Sequence, residues 1–200
     1  MMVRTKPPGS QPVKIDRRWH LARTQLEIEV TELEYALMRS FEAFGRWQTE
    51  CLANVIDFAA SGPENALLHI IRMNDRPKSL RDLAYMANRE DVPNIQYSLR
   101  KLIKGGFVAR NGSGRSGVSY KASQLGREVT DGYAEVRAAL LIDAVRRVPE
   151  LAQRLQDTAR TLELMTGIYA QSARDAATHR RYPAERKKQI SNVKPATSKR

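Results

Sequence analysis

From about Ala22 to Ala60 the chain has no proline and a single glycine, Gly45. Over the same stretch Leu26, Val30, Leu33, Leu37, Phe41, Phe44, Cys51 or Leu52, Val55 and Ala59 recur at helical spacing. One helix of that length, or two collinear ones, would run about 57 Å at 1.5 Å per residue. A compact domain of this size has a radius of gyration of about 15 Å. Such a helix overshoots its own domain, so its apolar stripe needs cover from elsewhere, and a second copy of the chain is the simplest source. The other end repeats the theme. Leu151, Leu155, Thr158, Leu162, Met165 and Tyr169 follow the alternating three- and four-residue spacing of a coiled-coil seam. Together the two ends predict a helical assembly of two copies, with Leu26, Val30, Leu33, Leu37, Leu155, Leu162, Met165 and Tyr169 at the interface.

Between these helices the punctuation is dense. Ser61-Gly62-Pro63-Glu64 stops the first helix and starts a second, which runs to Met73 with Ala66, Leu67, Ile70 and Ile71 on one face. Ser79 reads as the N-cap of a short helix with Leu80, Leu83, Ala84 and Met86 as candidates for burial, and Asp91 as the cap of another that has Pro93 in its first turn and ends at Gly105-Gly106. Phe107–Arg110 and Val118–Lys121 read as the strands of a hairpin around the glycine-rich 111–117 tip. Ser123 caps a further helix with a stripe of Leu125, Val129, Tyr133, Val136, Leu140 and Ala144, ended by Pro149. The predicted class is mainly α with a small β-hairpin. Its parts are a basic arm at 1–18, an N-terminal dimerisation helix or helices at 19–62, a three-helix and hairpin domain at 63–122, C-terminal helices at 123–173 and a basic tail at 174–200. The composition of arm and tail predicts disorder.

Charge is unevenly placed. The chain carries 34 Lys and Arg against 22 Asp and Glu, a formal net charge of +12. Residues 1–18 hold five Lys/Arg and one acid, residues 174–200 nine and two, and residues 92–121 six basic residues and no acid. A basic segment on an otherwise mildly acidic body, flanked by basic arms, is the footprint of a polyanion-binding protein. On a helical wheel of about 100° per residue, Ile95, Leu99 and Leu102 share one face of the 91–104 helix, and Tyr97, Arg100, Lys101 and Lys104 lie opposite. Such a helix fits the major groove of B-DNA, where Asn or Gln can read adenine and Arg or Lys guanine. Asn94, Gln96 and Tyr97, near its start, are the base-edge candidates, and Arg100, Lys101 and Lys104 the phosphate candidates.

Other signals lead nowhere. Residues 112–117 spell a GxGxxG, but a second strand rather than a helix follows it, which is the wrong setting for dinucleotide binding. One cysteine excludes a disulfide framework, and Cys51 among Leu52, Val55 and Ile56 reads as a buried structural thiol. His20, His69 and His179 have no metal-ligand spacing, so no metal or other cofactor is expected, nor an enzyme. The N-terminus does not read as a secretory signal and no run approaches the length of a membrane span, so a cytoplasmic, nucleoid-associated protein without a membrane partner is expected.

From Glu64 to Gly126 the chain resembles the winged-helix domain of the MarR family of transcription regulators. Ile95 to Arg110 is similar to that family's recognition helix running into its wing, Ala122-Ser123-Gln124-Leu125-Gly126 to the segment after the wing, and Ser79 to Ala84 to the helix that supports the recognition helix. The wing departs from the pattern, with Gly114 and Ser116 where the family commonly has an acid and an arginine. Arg115 alone remains at the tip, as a minor-groove or phosphate contact. The resemblance implies a homodimeric, double-stranded DNA-binding regulator whose DNA contacts add Ser79, Arg81 and Arg110 to the residues above. It also implies a small-molecule effector of unknown identity, for which Trp19, Tyr35 and Trp47 are the lining candidates. The alternatives are an architectural or replication-associated winged helix with little sequence preference, and a winged helix that docks proteins.

Overall fold

The structure is a computed structural model, and it describes residues 20–113 and 117–179. Seven α-helices and three short strands occur among them: α1 (Gln25–Ala53), α2 (Gly62–Arg72), β1 (Lys78–Ser79), α3 (Leu80–Met86), α4 (Val92–Lys104), β2 (Val108–Asn111), β3 (Ser119–Ala122), α5 (Gln124–Arg137), α6 (Asp143–Arg146) and α7 (Leu151–Thr178). The chain divides into two compact units, 1–138 and 139–200.

In the first unit, α1 starts at a reciprocal cap. Thr24 Oγ1 accepts from the Glu27 amide at 3.3 Å, and Glu27 Oε2 accepts from the Thr24 amide at 2.7 Å. The Thr24 amide first, and then the Arg23 amide, which also donates to Glu27 Oε2, hold the Glu27 carboxyl below its ordinary pKa. The helix stops at Asn54, whose side-chain Nδ2 donates back to the Glu50 carbonyl at 2.8 Å. The expected continuation to Ala60 is therefore not formed. Residues 55–60 instead fold back so that Phe58 packs edge-on against Phe107, with ring centroids 4.6 Å apart, and Ala60 is buried.

The core gathers Cys51 and Leu52 from α1, Leu67, Leu68 and Ile71 from α2, Leu83 from α3, Ile95, Leu99 and Leu102 from α4, Phe107 and Val108 from the wing, and Val129 and Tyr133 from α5. Each fully buried Leu or Ile contributes about 1.5–3 kcal/mol relative to exposure. The buried face of α4 is the one its spacing predicts. On α3 Leu83 is fully buried, whereas Met86 is exposed.

The sheet has order β1-β3-β2 and is antiparallel throughout. The hairpin was expected, and β1 is an addition. It pairs Lys78 with Tyr120 and Ser79 with Ser119, and it brings a lysine indoors. Lys78 is 4% exposed, and its Nζ donates to the carbonyls of Ile71, Met73 and Arg76, so the ammonium closes the C-terminal end of α2. Burial lowers its pKa.

Two glycines set the wing's geometry. Gly106, at φ 80°, turns the chain out of α4 in a left-handed conformation that favours glycine. Gly126 lies so close to β2 that a Cβ there would stand 2.1 Å from the Phe107 carbonyl oxygen. Gly126→Ala is expected to lower stability by about 2–3 kcal/mol, the upper part of the overpacking range, read as a drop in the denaturation midpoint. Gly126 thus faces the sheet, and Leu125, expected in the buried stripe, is 39% exposed. That stripe is also interrupted further on. Residues Ala138–Ile142 form a π-helical turn that shifts the helical phase, and Leu140 and Ala144 are exposed.

His69 of α2 packs edge-on against Tyr133, with centroids 4.4 Å apart. Burial first, and then the charge of Arg137, lower its pKa from 6.5. Below about pH 6.5 the unfolded chain therefore binds a proton that the folded chain refuses, so stability falls as pH falls through that window. A His69→Gln variant is expected to lose this acid-side decline, as measured by urea midpoints between pH 7 and pH 5.

In the second unit α7 has no buried residue. It runs to Thr178, so the first five residues of the expected tail, 174–178, are helical.

Candidate nucleic-acid interface

The turn from α3 into α4 makes a helix-turn-helix, and the β2–β3 hairpin that follows α4 makes its wing. The two helices are placed by opposite means. Ser79 caps α3: its amide and hydroxyl both donate to Asp82 at 2.8 Å, and its hydroxyl accepts from the Asp82 amide. The Ser79 hydroxyl, a candidate DNA contact, is thus engaged inside its own helix. Asp91 stands at the N-cap of α4, but its side chain makes no cap hydrogen bond, contrary to the expectation from sequence. Its carboxylate is taken by the Arg89 guanidinium and by Asn94 Nδ2. Arg89 foremost, and then Asn94, hold the Asp91 carboxyl well below the usual carboxylate range.

The exposed face of α4 carries Asn94, Gln96, Tyr97, Arg100 and Lys104. A groove of about 460 Å³ runs between this face and the sheet, and Gln96, Arg100, Lys104, Arg110 and Tyr120 line it. Arg110 and Tyr120 stand directly opposite each other on β2 and β3. Tyr120 was not singled out from sequence, although the register of the hairpin implies it. Three cations with no carboxylate among the lining residues form a trough suited to a phosphate backbone.

Lys101 departs from this set. It turns inward, donates to Glu64 Oε2 at 2.7 Å and lies 5.7 Å from the centroid of the Phe58 ring. Glu64 is 4% exposed and also accepts from the Ser61 amide at 2.8 Å, so Lys101 compensates a buried carboxylate at the start of α2. Arg81 is exposed on α3, and Tyr85, one helical turn on, projects beside it into solvent. Arg115 and Trp19 lie outside the described residues.

Of the three aromatic residues expected around an effector, Tyr35 and Trp47 lie among the described residues. Trp47 packs against the core, and Tyr35 lies under the Arg39 guanidinium at 5.6 Å, in a separate surface groove. A cavity of about 760 Å³ opens instead between α1 and α2, walled by Phe41, Phe44, Pro63, Ala66 and Ile70, with Arg46 and Arg89 at its margin. Cys51 is buried, and burial raises its pKa, which keeps it a thiol.

Comparison with known proteins agrees with this geometry. The family described as a winged helix DNA-binding domain matches residues 61–124. A search of curated proteins returns no match. Among solved structures, the transcriptional regulator BldR from Sulfolobus solfataricus is similar at a TM-score of 0.56 and 17% identity, over 70% of this chain and 99% of that one. MarR from Staphylococcus aureus, solved with salicylate and kanamycin, gives 0.58 and 13%, over 74% and 96%. An E. coli MarR mutant complexed with operator DNA gives 0.55 and 17%, over 70% and 99%. The class defined here is a winged helix-turn-helix DNA-binding domain. The fold around it, with its long flanking helices, is MarR-like. Among the described residues no helix is long and apolar enough to cross a membrane.

Proposed function

We propose that this chain is a transcription regulator that binds double-stranded DNA sequence-specifically as a homodimer. The observation that carries the reading is the cation-lined groove between α4 and the wing, set on a helix whose outer face also offers Asn94, Gln96 and Tyr97. In this arrangement α4 enters a major groove with its N-terminal side chains at base edges. Arg100, Lys104 and Arg110 hold the adjoining backbone, and the wing follows it. Arg81 meets a flanking phosphate.

Dimerisation rests on the uncovered apolar faces. Leu26 is 69% exposed, Phe41 72% and Leu164 71%, and Met38, Phe44, Leu155 and Ile168 are exposed as well. These side chains leave apolar surface on α1 and on α7 that a second copy of the chain would cover. Two copies place two α4 helices on a pseudo-palindrome with half-sites about 10 bp apart. The α1–α2 cavity supports response to a small, largely apolar effector, since its volume falls in the range of small-molecule sites.

Gln96→Ala or Tyr97→Ala is expected to cost about 1–3 kcal/mol and to relax preference at one base pair. Lys104→Ala is expected to weaken all sequences evenly and to reduce the salt slope by about one. Binding isotherms on a matched set of duplexes at several salt concentrations check this. Equal effects of both kinds of change on every sequence would mean that α4 does not read bases, the behaviour of the architectural alternative.

A further inference from the structure

The turn between α3 and α4 holds a side-chain relay that lies outside the hydrophobic core. Arg89 Nε donates to Asp91 Oδ1 at 2.7 Å and its terminal nitrogen donates to Asp91 Oδ2 at 2.5 Å, a two-pronged clasp across two residues. Asp91 Oδ2 also accepts from Asn94 Nδ2 at 3.1 Å. Asp91 is the residue before α4, and Asn94 is the third residue within it. Asp91 makes no side-chain cap hydrogen bond to the helix backbone. Its carboxylate therefore serves Arg89 and Asn94, and not the helix start that an acid at this position ordinarily serves.

We propose that Arg89 is a positioning residue for base readout: through Asp91 it fixes the amide of Asn94 in the orientation that reads an adenine. This inference rests on the proposed role of Asn94 as a base contact. An asparagine amide has two N–H bonds and one acceptor oxygen. With one N–H given to Asp91, the other N–H and Oδ1 remain, and these are the pair that adenine N7 and N6 require. An amide anchored in this way does not sample the flipped orientation, in which donor and acceptor are exchanged. The guanidinium has a second effect: it neutralises Asp91, which would otherwise place an uncompensated carboxylate beside phosphate.

The test uses Arg89→Lys in the full-length chain, which keeps the charge but replaces a planar fork with a single ammonium. Relative affinities for every base pair of a selected site are measured for the wild type, Arg89→Lys, Asn94→Ala and the double variant, with thermal melts to confirm folding. Asp91→Ser serves as a second probe of the relay. The expected result is that Asn94→Ala flattens preference at one base pair. Arg89→Lys and Asp91→Ser flatten the same one by about tenfold, affinity for random duplex is unchanged in Arg89→Lys, and that change adds nothing in the Asn94→Ala background. If Arg89→Lys weakens all sequences alike, or acts undiminished without Asn94, the proposal is overturned and the clasp only stabilises the turn. If Asn94→Ala itself leaves every preference intact, the base-contact role fails first, and the positioning role falls with it.

Discussion

An Arg100→Ala, Lys104→Ala, Arg110→Ala triple variant is expected to lose the steep salt dependence of DNA binding while folding as the wild type does. All three side chains are exposed, and none carries part of the core. Each phosphate neutralised contributes about 0.9 to the slope of log affinity against log salt. Three lost contacts should lower that slope by about 2.7, and the accompanying loss of hydrogen bonds to a charged group is roughly 1.5–3 kcal/mol apiece before any compensation. Sequence preference among the remaining weak complexes should persist, because Gln96 and Tyr97 are untouched. By contrast, Lys101→Ala should act mainly on stability. Its partner Glu64 is buried, and removing the lysine leaves that carboxylate with the Ser61 amide alone, a loss of about 1–3 kcal/mol, less than for a fully buried pair because the Lys101 side chain is itself 34% exposed. Chemical denaturation and DNA titration of the two variants separate a cation that faces the ligand from one that faces the protein.

The second large effect concerns assembly. Deleting residues 149–200 removes α7 and is expected to leave a monomer, or a chain that aggregates through the uncovered faces. Leu155→Glu with Leu162→Glu is a gentler form of the same change, since neither residue is buried within the chain. Loss of the second α4 from a two-site complex should weaken DNA binding by about 10²–10⁴-fold. Sedimentation velocity reads the assembly directly. A well-behaved dimer after either change would place the interface elsewhere.

Much of this was legible in the chain. The Ile95, Leu99 and Leu102 face, the Gly105-Gly106 stop and the glycine-rich hairpin are local patterns, and local patterns fix α4 and the wing. What stayed hidden depends on distant partners. The inward turn of Lys101 needs Glu64, 37 residues away in sequence, and looks in the sequence like one more basic residue on an exposed face. Strand β1 is two residues long and shows no alternation, so only its pairing with β3 reveals it. The break of the first helix at Asn54 is a tertiary effect, because Phe58 finds Phe107 and pulls residues 55–60 out of a helix that their composition allows. The α1–α2 cavity is likewise a tertiary feature, since its walls come from Phe41 and Phe44 on one helix and from Pro63, Ala66 and Ile70 on the next. The Arg89 clasp is not legible because an acid before Pro93 has the pattern of a helix cap, and only the geometry shows the Asp91 carboxylate bound to side chains.

The central claim is that the winged-helix core itself selects DNA by sequence. It is tested most directly by selecting bound fragments from a genomic DNA pool at about 150 mM salt, with the full chain and with residues 20–179 in parallel. The account predicts that both enrich the same pseudo-palindrome, with half-sites about one helical turn apart. Fragments retained by the full chain alone, with no shared sequence, would contradict it and assign the affinity to the basic ends.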